Sequence, residues 1–383
     1  MKKCIVISDS FKGSLSSGEI CEIARACFAE VLPEWELTAI PVADGGEGTV
    51  DCFHQVCGGA LVPVTVQGPF GQDMAASYLQ LDGGRAVIEM ASSAGLPLVG
   101  DRKFPRVTST YGVGQQIRHA VEQGNTQILL GLGGSCTNDG GCGCAAALGV
   151  RFLNRAGQAF VPTGGTLDQI ARIDVSETRQ LLKNVKLTAM CDIDNPMHGP
   201  TGAAYIFGPQ KGADPATVEF LDGQLKALDA VIQRELHRSV AEVPGSGAAG
   251  AFGAGILALL DGTLCPGIEA VLDLVDFDRM LDGCGLVITG EGRFDSQSIR
   301  GKVVSGVSRR AKARQVPVLV IAGSVAEEVE SISADPASGI ASVFSINRQA
   351  LDYSESRPFS RRNYQYTLEN LLRLIKGAAL MKN

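Results

Sequence analysis

Gln127-Ile128-Leu129-Leu130-Gly131-Leu132-Gly133-Gly134-Ser135-Cys136-Thr137-Asn138-Asp139-Gly140-Gly141 is the stretch on which the reading of this chain turns. Gln127 to Leu130 reads as a buried strand, and the small residues from Cys142 to Leu148 read as a helix. A glycine-rich turn therefore leaves a strand and opens a helix. Glycine admits positive φ and lets a ligand approach bare backbone. The N–H groups at a helix start favour an anion. Ser135, Thr137 and Asn138 add short polar side chains, so Gly133, Gly134, Ser135, Thr137 and Asn138 read as a phosphate cradle. The competing reading is a tight turn that holds no ligand.

Similar units lie on both sides. Upstream, Cys4-Ile5-Val6-Ile7-Ser8 is an apolar run that predicts a central parallel strand. It ends in Asp9-Ser10-Phe11-Lys12, followed by a helix from about Ser17 to Glu30 capped by Ser16 or Ser17. Asp9, Ser10 and Lys12 thus sit at a strand's carboxyl end, where open α/β sheets bind ligands. A loop cap and a solvated lysine are the plain alternatives. A second strand, Glu36 to Pro41, runs into Asp44-Gly45-Gly46-Glu47-Gly48-Thr49 and a helix to about Cys57. Asp44 or Glu47 suits a magnesium ion, substrate hydroxyls or a first-turn cap. Leu61 to Val66, Ala75 to Leu81 and Arg85 to Met90 alternate like antiparallel strands, with Asp82-Gly83-Gly84 as a hairpin turn. That switch of pattern predicts a change of domain.

Downstream, Val150 to Leu153 and Val185 to Met190 predict strands. The second ends in Cys191-Asp192-Ile193-Asp194-Asn195-Pro196, a magnesium or substrate platform in which Asp192 and Asp194 alternate faces. Lys211, flanked by glycines, is a candidate phosphate ligand; His198 reads as structural. Asp214 caps a long helix with Pro215 in its first turn. Gly245 to Gly250 fits G-x-G-x-x-G but follows a helix and a proline, so its dinucleotide signal is weak. Gly285 to Thr289 is a buried strand ending in Gly290-Glu291-Gly292-Arg293-Phe294-Asp295-Ser296-Gln297-Ser298, then Gly301-Lys302 and a helix to about Arg314. Strands at Val316 to Ala322 and Ile340 to Ile346 and a helix from Asn363 to Met381 complete the chain. The pattern predicts an α/β protein of two α/β domains. One is a parallel-sheet, Rossmann- or flavodoxin-like domain built from both chain ends, 1–64 plus 285–383. The other, 65–284, is inserted and mixed α/β.

Composition narrows the chemistry. The 383 residues suggest two domains. A net charge of −7 without a basic block argues against nucleic acid and anionic membranes as partners. Eleven cysteines, odd in number and scattered through apolar runs, fit reduced core thiols in a cytoplasmic protein. Cys142-Gly-Cys144 lacks zinc-site spacing. No signal-peptide core precedes Cys4, and no apolar run reaches membrane-spanning length. There is no Walker sequence and no G-x-S-x-G elbow. Asp9, Asp44, Asp192, Glu291 and Asp295 outnumber the caps one turn needs, and Lys12, Lys211 and Lys302 supply opposite charge. A backbone cradle, carboxylates for a metal, a cation and a base are what phosphoryl transfer uses.

Six of these stretches, in order and over nearly the whole chain, resemble the type-1 glycerate kinase family. They are Asp9 to Ser14, Ala43 to Thr49, Gly131 to Gly141, Cys191 to Pro196, Phe207 to Ala213, and Gly290 to Lys302. Ser8 and Cys136 depart from the family pattern, and neither is charged. The resemblance implies an ATP-dependent kinase that phosphorylates D-glycerate on the 2-hydroxyl, in glyoxylate or sugar-acid catabolism. It also implies magnesium and a site in a cleft between two domains. On that basis Asp192, Lys12, Glu291 and Asp295 are the expected catalytic residues. Asp192 and Glu291 are the metal carboxylates, and Gly133, Gly134, Ser135, Thr137, Asn138 and Lys211 hold phosphate. Asp9, Ser10, Asp44 and Arg293 hold substrate. Glycerate 3-phosphorylation, a nucleotide-linked oxidoreductase and a non-catalytic sugar-acid sensor are the alternatives. A homo-oligomer is left open.

Overall fold

The computed structural model describes residues 2–42, 45–296, 298, 302–329, 335–349 and 351–380. The chain divides into two compact units, Met1–Ala43 with Ile268–Asn383, and Asp44–Gly267.

The first unit opens with β1 (Lys3–Ser8), the helix Ser17–Val31 and β2 (Glu36–Pro41). The helix starts at Ser16, whose hydroxyl accepts the Glu19 N–H while the Glu19 carboxylate accepts the Ser16 N–H. This reciprocal cap satisfies two otherwise orphaned donors. Ile20, Ile23, Ala24, Cys27, Phe28 and Val31 recur at helical spacing and form its buried stripe. Ser17 ties strand ends together: its hydroxyl donates to Ser8 O at 2.6 Å and accepts the Val42 N–H at 2.7 Å. The backbone just before Asp9 is thereby held at the sheet's carboxyl edge.

The second unit carries β3 (Ala60–Gln67), β4 (Asp73–Leu81), β5 (Arg85–Glu89), β6 (Gln127–Gly131), β7 (Arg151–Leu153), β8 (Ala159–Phe160), β9 (Arg172–Asp174), β10 (Lys186–Met190) and β11 (Thr263–Cys265). Six strands form one sheet in the order β11-β10-β6-β5-β4-β3, and β8-β7-β9 form a small separate sheet. β5 pairs antiparallel with β4, as the Asp82-Gly83-Gly84 turn predicts, but parallel with β6. The expected antiparallel ribbon is therefore the outer half of a mixed sheet. The crossover from β5 to β6 carries the helix Tyr111–Glu122, as a parallel pair requires. The edge strand β11 lacks any sequence signal that singles it out.

The chain returns to the first unit with β12 (Cys284–Phe294), β13 (Val318–Val325) and β14 (Ile340–Ser345). All five strands there are parallel, in the order β2-β1-β12-β13-β14. This is the flavodoxin-like order, and its switch point lies between β1 and β12. Val6, Ile288 and Ile321 pack with Ile20, Phe28, Tyr364 and Leu368 in the core. Each such buried apolar side chain contributes about 1.5–3 kcal/mol relative to exposure.

The sequence-based joins at 64/65 and 284/285 fall inside β3 and β12. β3 pairs with β4 from Ala60↔Gln80 to Gln67↔Asp73, which keeps it whole within the second unit. Residues 268–283 pack on the first unit because Arg310 binds them. Its guanidinium reaches Glu269 at 2.7 Å, Asp273 at 2.5 Å and Asp278 at 3.0 Å. β12 also runs past the expected end at Thr289: Glu291 pairs with Ala322 and Arg293 with Ser324. Glu291 is consequently a strand residue with the rigidity of a sheet rather than a loop residue.

Candidate functional site

At the β1/β12 switch point the Asp9 N–H donates to Gly290 O at 2.9 Å, joining the two strand ends. A cavity of about 640 Å³ opens there. Asp9, Lys12, Glu291, Arg293, Asp295 and Lys302 line it, and Ser10 does so too. Six of the site residues predicted from sequence thus share one hollow of the first unit: Asp9, Ser10, Lys12, Glu291, Arg293 and Asp295. The far wall comes from residues that carry no sequence signal, including Asn347 and Tyr353. The Tyr353 hydroxyl donates to Lys12 O at 2.7 Å and holds that loop.

Glu291 is the chemically distinctive group. It is 5% exposed, and its Oε1 has no hydrogen-bond partner among the described residues. Burial pushes its carboxyl up to about 7; the Ser298 hydroxyl and Lys302 pull against this, while Asp9 and Asp295 add to it. A carboxyl with that value exchanges a proton near neutral pH, the property of a general base or acid. Asp295 is held at its backbone, where its N–H donates to Ser298 Oγ at 2.9 Å. Arg293 Nε stands 3.5 Å from Asp295 Oδ2 with the arginine side chain 69% exposed, so that ion pair contributes under about 1 kcal/mol.

The second unit uses its glycines differently. A Cβ on Gly131 would meet Gly45 O at 2.4 Å, and one on Gly133 would meet Gly46 Cα at 2.6 Å. The Gly133 N–H is already given to Gly45 O at 2.8 Å. These glycines serve close packing of two backbone segments. The start of the helix Cys142–Ala147 is filled by the chain's own carboxylate. Asp139 accepts the Gly141 N–H on Oδ1 and, on Oδ2, the Gly143 N–H, the Thr110 N–H and the Thr110 hydroxyl. Asp139 is wholly buried, and burial raises its carboxyl above the ordinary value despite those four bonds. Asp139 thus already takes the Gly141 and Gly143 N–H groups at this helix start.

Other predicted residues divide likewise. Thr137 and Asn138 are wholly buried and turn away from solvent. Lys211, read from sequence as a phosphate ligand, is 2% exposed. Its ammonium donates to Ser135 Oγ at 2.8 Å and to Thr137 O at 2.6 Å, pinning the turn from beneath. Burial lowers it to about 8. Gly134, with φ of 73°, is exposed, and Gly133 is half-buried, so the turn's accessible edge is Gly133-Gly134. Asp192 is exposed at the end of β10, and its Oδ1 accepts the Gly267 N–H at 2.7 Å, a capping bond at the helix Gly267–Leu274. Asp44 lies outside the described residues. Among the described residues no group of three or more His, Cys, Asp or Glu side chains has metal-holding geometry, and no helix is long and apolar enough to cross a membrane.

The Gly245 to Gly250 run is explained by packing. A Cβ on Gly247 would meet Pro196 O at 2.2 Å, and one on Gly250 would meet Thr137 O at 2.1 Å. The dinucleotide reading gains nothing from this arrangement.

Comparison with known proteins supplies the remaining evidence. Residues 4–376 match the model of the glycerate kinase family. A glycerate kinase of Bacillus cereus is 42% identical over 379 residues, covering 98% of this chain and 99% of that protein. A glycerate 2-kinase of Escherichia coli is 42% identical over 346 residues, 90% of each chain. A crystal structure of a protein from Salmonella typhimurium LT2, provisionally assigned as glycerate kinase 2, superposes with a TM-score of 0.82. It shares 38% identity and covers 99% of both chains.

Proposed function

The chain belongs to the glycerate kinase family, and from that premise we propose that it transfers the γ-phosphoryl of ATP to the 2-hydroxyl of D-glycerate, giving 2-phosphoglycerate and ADP. The observation that carries the reading is the switch-point cavity with Glu291 buried in its wall. A hydroxyl attacking a phosphoryl group must lose its proton, and a base with a value near the working pH does this best. Glu291 takes that proton on the carboxylate oxygen that has no partner among the described residues. Lys12, Lys302 and Arg293 line the same cavity and offset the glycerate carboxylate. Asp9 and Asp295 raise the proton affinity of Glu291 and stand ready to accept the remaining substrate hydroxyls.

In the second unit the Gly133-Gly134 edge and Ser135 serve the ATP phosphates, and Lys211 acts as a positioning residue beneath them. Mg2+ would be held by Asp192, an exposed hard oxygen donor of the kind this ion takes together with phosphate oxygens, and would offset charge on the transferring phosphoryl. Glu291 is reserved for the proton. All eleven cysteines are free thiols, which supports work in a reducing compartment such as the cytoplasm.

The test is purified protein with magnesium, ATP and D-glycerate, following ADP release and assigning the product by phosphorus NMR. Release with phosphate on the 2-hydroxyl is the expected result. Phosphate on the 3-hydroxyl overturns the regiochemistry, and no turnover with D- or L-glycerate overturns the kinase. Asp192→Asn should abolish turnover without moving the melting temperature; a near-normal rate removes Asp192 from its role.

A further inference from the structure

Beside the switch-point cavity the first unit holds a second, smaller hollow of about 280 Å³. Its lining includes Arg348, Arg362, Asn347, Gln349, Asn363 and Phe359. The two hollows share Asn347, Leu351 and Ser356 as a common wall. Their linings differ in charge. The larger mixes the carboxyls of Asp9, Glu291, Asp295 and Asp352 with the cations Lys12, Arg293 and Lys302, whereas the smaller has its two arginines and no Asp or Glu among the described residues.

Its two arginines are unspent. Neighbouring Arg361 reaches Glu19 at 3.4 Å and Glu22 at 3.6 Å. Neither Arg348 nor Arg362 has an ion pair among the described residues. The Arg348 guanidinium lies 3.8 Å over the Tyr366 ring, which fixes its plane before anything binds. Two arginines lining one pocket together with the side-chain amides of Asn347, Gln349 and Asn363 match a ligand that bears two anionic groups and a hydroxyl. At about 280 Å³ the hollow lies just below the ~300–1,000 Å³ usual for drug-sized ligands. A small acid fits it; a whole nucleotide does not.

We propose that this Arg348/Arg362 hollow is a regulatory subsite for a small phosphorylated acid, one guanidinium taking the phosphate and the other the carboxylate. Because Asn347, Leu351 and Ser356 belong to both hollows, occupancy of the smaller one reshapes the wall of the larger and lowers turnover. The identity of the ligand rests on the kinase reading, since a phosphorylated acid is that reaction's product class. The anion site itself does not.

The experiment is calorimetric titration of the full-length protein with 2-phosphoglycerate and, separately, with inorganic phosphate, in the absence of ATP. Wild type is compared with the double variant Arg348→Gln/Arg362→Gln. Both side chains are exposed, so the variant should melt within a few degrees of wild type. Two binding events for 2-phosphoglycerate in wild type and one in the variant are expected, with inorganic phosphate weakened at least about tenfold. In steady-state assays the variant should keep kcat and the glycerate KM while losing inhibition by 2-phosphoglycerate that added glycerate does not relieve. Arg348→Lys/Arg362→Lys should recover part of the binding. Identical stoichiometry and affinity in wild type and variant overturn the proposal, as does loss of basal turnover in the variant. If no hydroxy acid is ever phosphorylated, the phosphate titration still reads the subsite: weakened binding in the variant upholds it, and unchanged binding rejects it.

Discussion

Two strand ends in this molecule carry almost the same kind of sequence and do opposite things. At the end of β6, Gly131 to Gly141 presents glycines, hydroxyls and an acid. There the backbone donors are answered within the chain: Gly45 O takes the Gly133 N–H, Asp139 fills the helix start and Lys211 holds the turn from below, while the buried Thr137 hydroxyl and the Asn138 amide have no partner among the described residues. At the end of β12, Gly290 to Asp295 presents glycines, acids and an arginine. There Glu291 is buried beside a cavity with one oxygen lacking a partner among the described residues. The difference teaches that polar residues at a glycine-rich strand end mark a rigid place, not yet a ligand. Buried polar atoms without a partner among the described residues occur at both ends, and what sets Glu291 apart is that its atom belongs to a titratable carboxyl in the wall of a cavity.

The sharpest way to break this contrast is Glu291→Gln. If Glu291 is the base, kcat falls by about 10²–10⁴-fold while the protein still folds, as ADP release and circular dichroism would report. A rate within a few fold of wild type would erase the distinction between the two strand ends. The same residue sets a pH signature. Its folded value, about 7, stands above the ordinary 4.5, so the fold favours the protonated form. The stability this contributes is complete below about pH 4.5 and is lost as pH rises through about 7, on the order of 3 kcal/mol in all. Urea unfolding across that window should slope downward in wild type and run flatter in Glu291→Gln. Activity follows the opposite course, rising with pH through about 7 as the base loses its proton.

For the β6 end, Asp139→Ala strips partners from two donors on Thr110 and the N–H groups of Gly141 and Gly143. Stability should drop by about 2–4 kcal/mol, since buried donors lose their acceptor. A change below ~0.5 kcal/mol in urea unfolding would mean the helix start is open after all. Gly133→Ala puts a methyl 2.6 Å from Gly46 Cα, and backbone is the neighbour that must move. About 1–3 kcal/mol is expected, read as a shift in the unfolding midpoint. Arg293→Ala should be the mildest, within about 0.5 kcal/mol in stability, because the side chain is mostly in water.

Much of this was legible in the residues. Apolar runs ending in glycine and acid predicted the strands β1, β2, β6, β10 and β12, and Ser16 and Asp214 predicted helix starts that the structure shows capped by those side chains. Reading β12 as ending at Thr289 failed because glycine is a weak strand former, while pairing with β13 carries the strand on through Gly290 and Gly292. Lys211 read as a ligand because a lysine between loop glycines is ordinarily solvated. Nothing local announces that Ser135 and Thr137, far away in sequence, will bury it. The wall of Asn347 and Tyr353, and the arginine pair beyond it, had no signal at all. Those residues acquire meaning only beside Lys12 and Asp9, which lie more than three hundred positions earlier.

By itself, then, the sequence determined the class of fold, the family and the set of charged strand ends where chemistry is concentrated. These follow from periodicity, capping and local residue type, which act over a few residues and are written along the chain. Tertiary structure alone decided which of those charges are answered. Whether Glu291 is buried, whether Asp139 fills the helix start, and whether Lys211 points at solvent all depend on desolvation and on hydrogen-bond partners brought from distant segments. One buried carboxylate caps a helix start and burial raises the proton affinity of another, and burial is a property of the packed molecule rather than of any stretch of it.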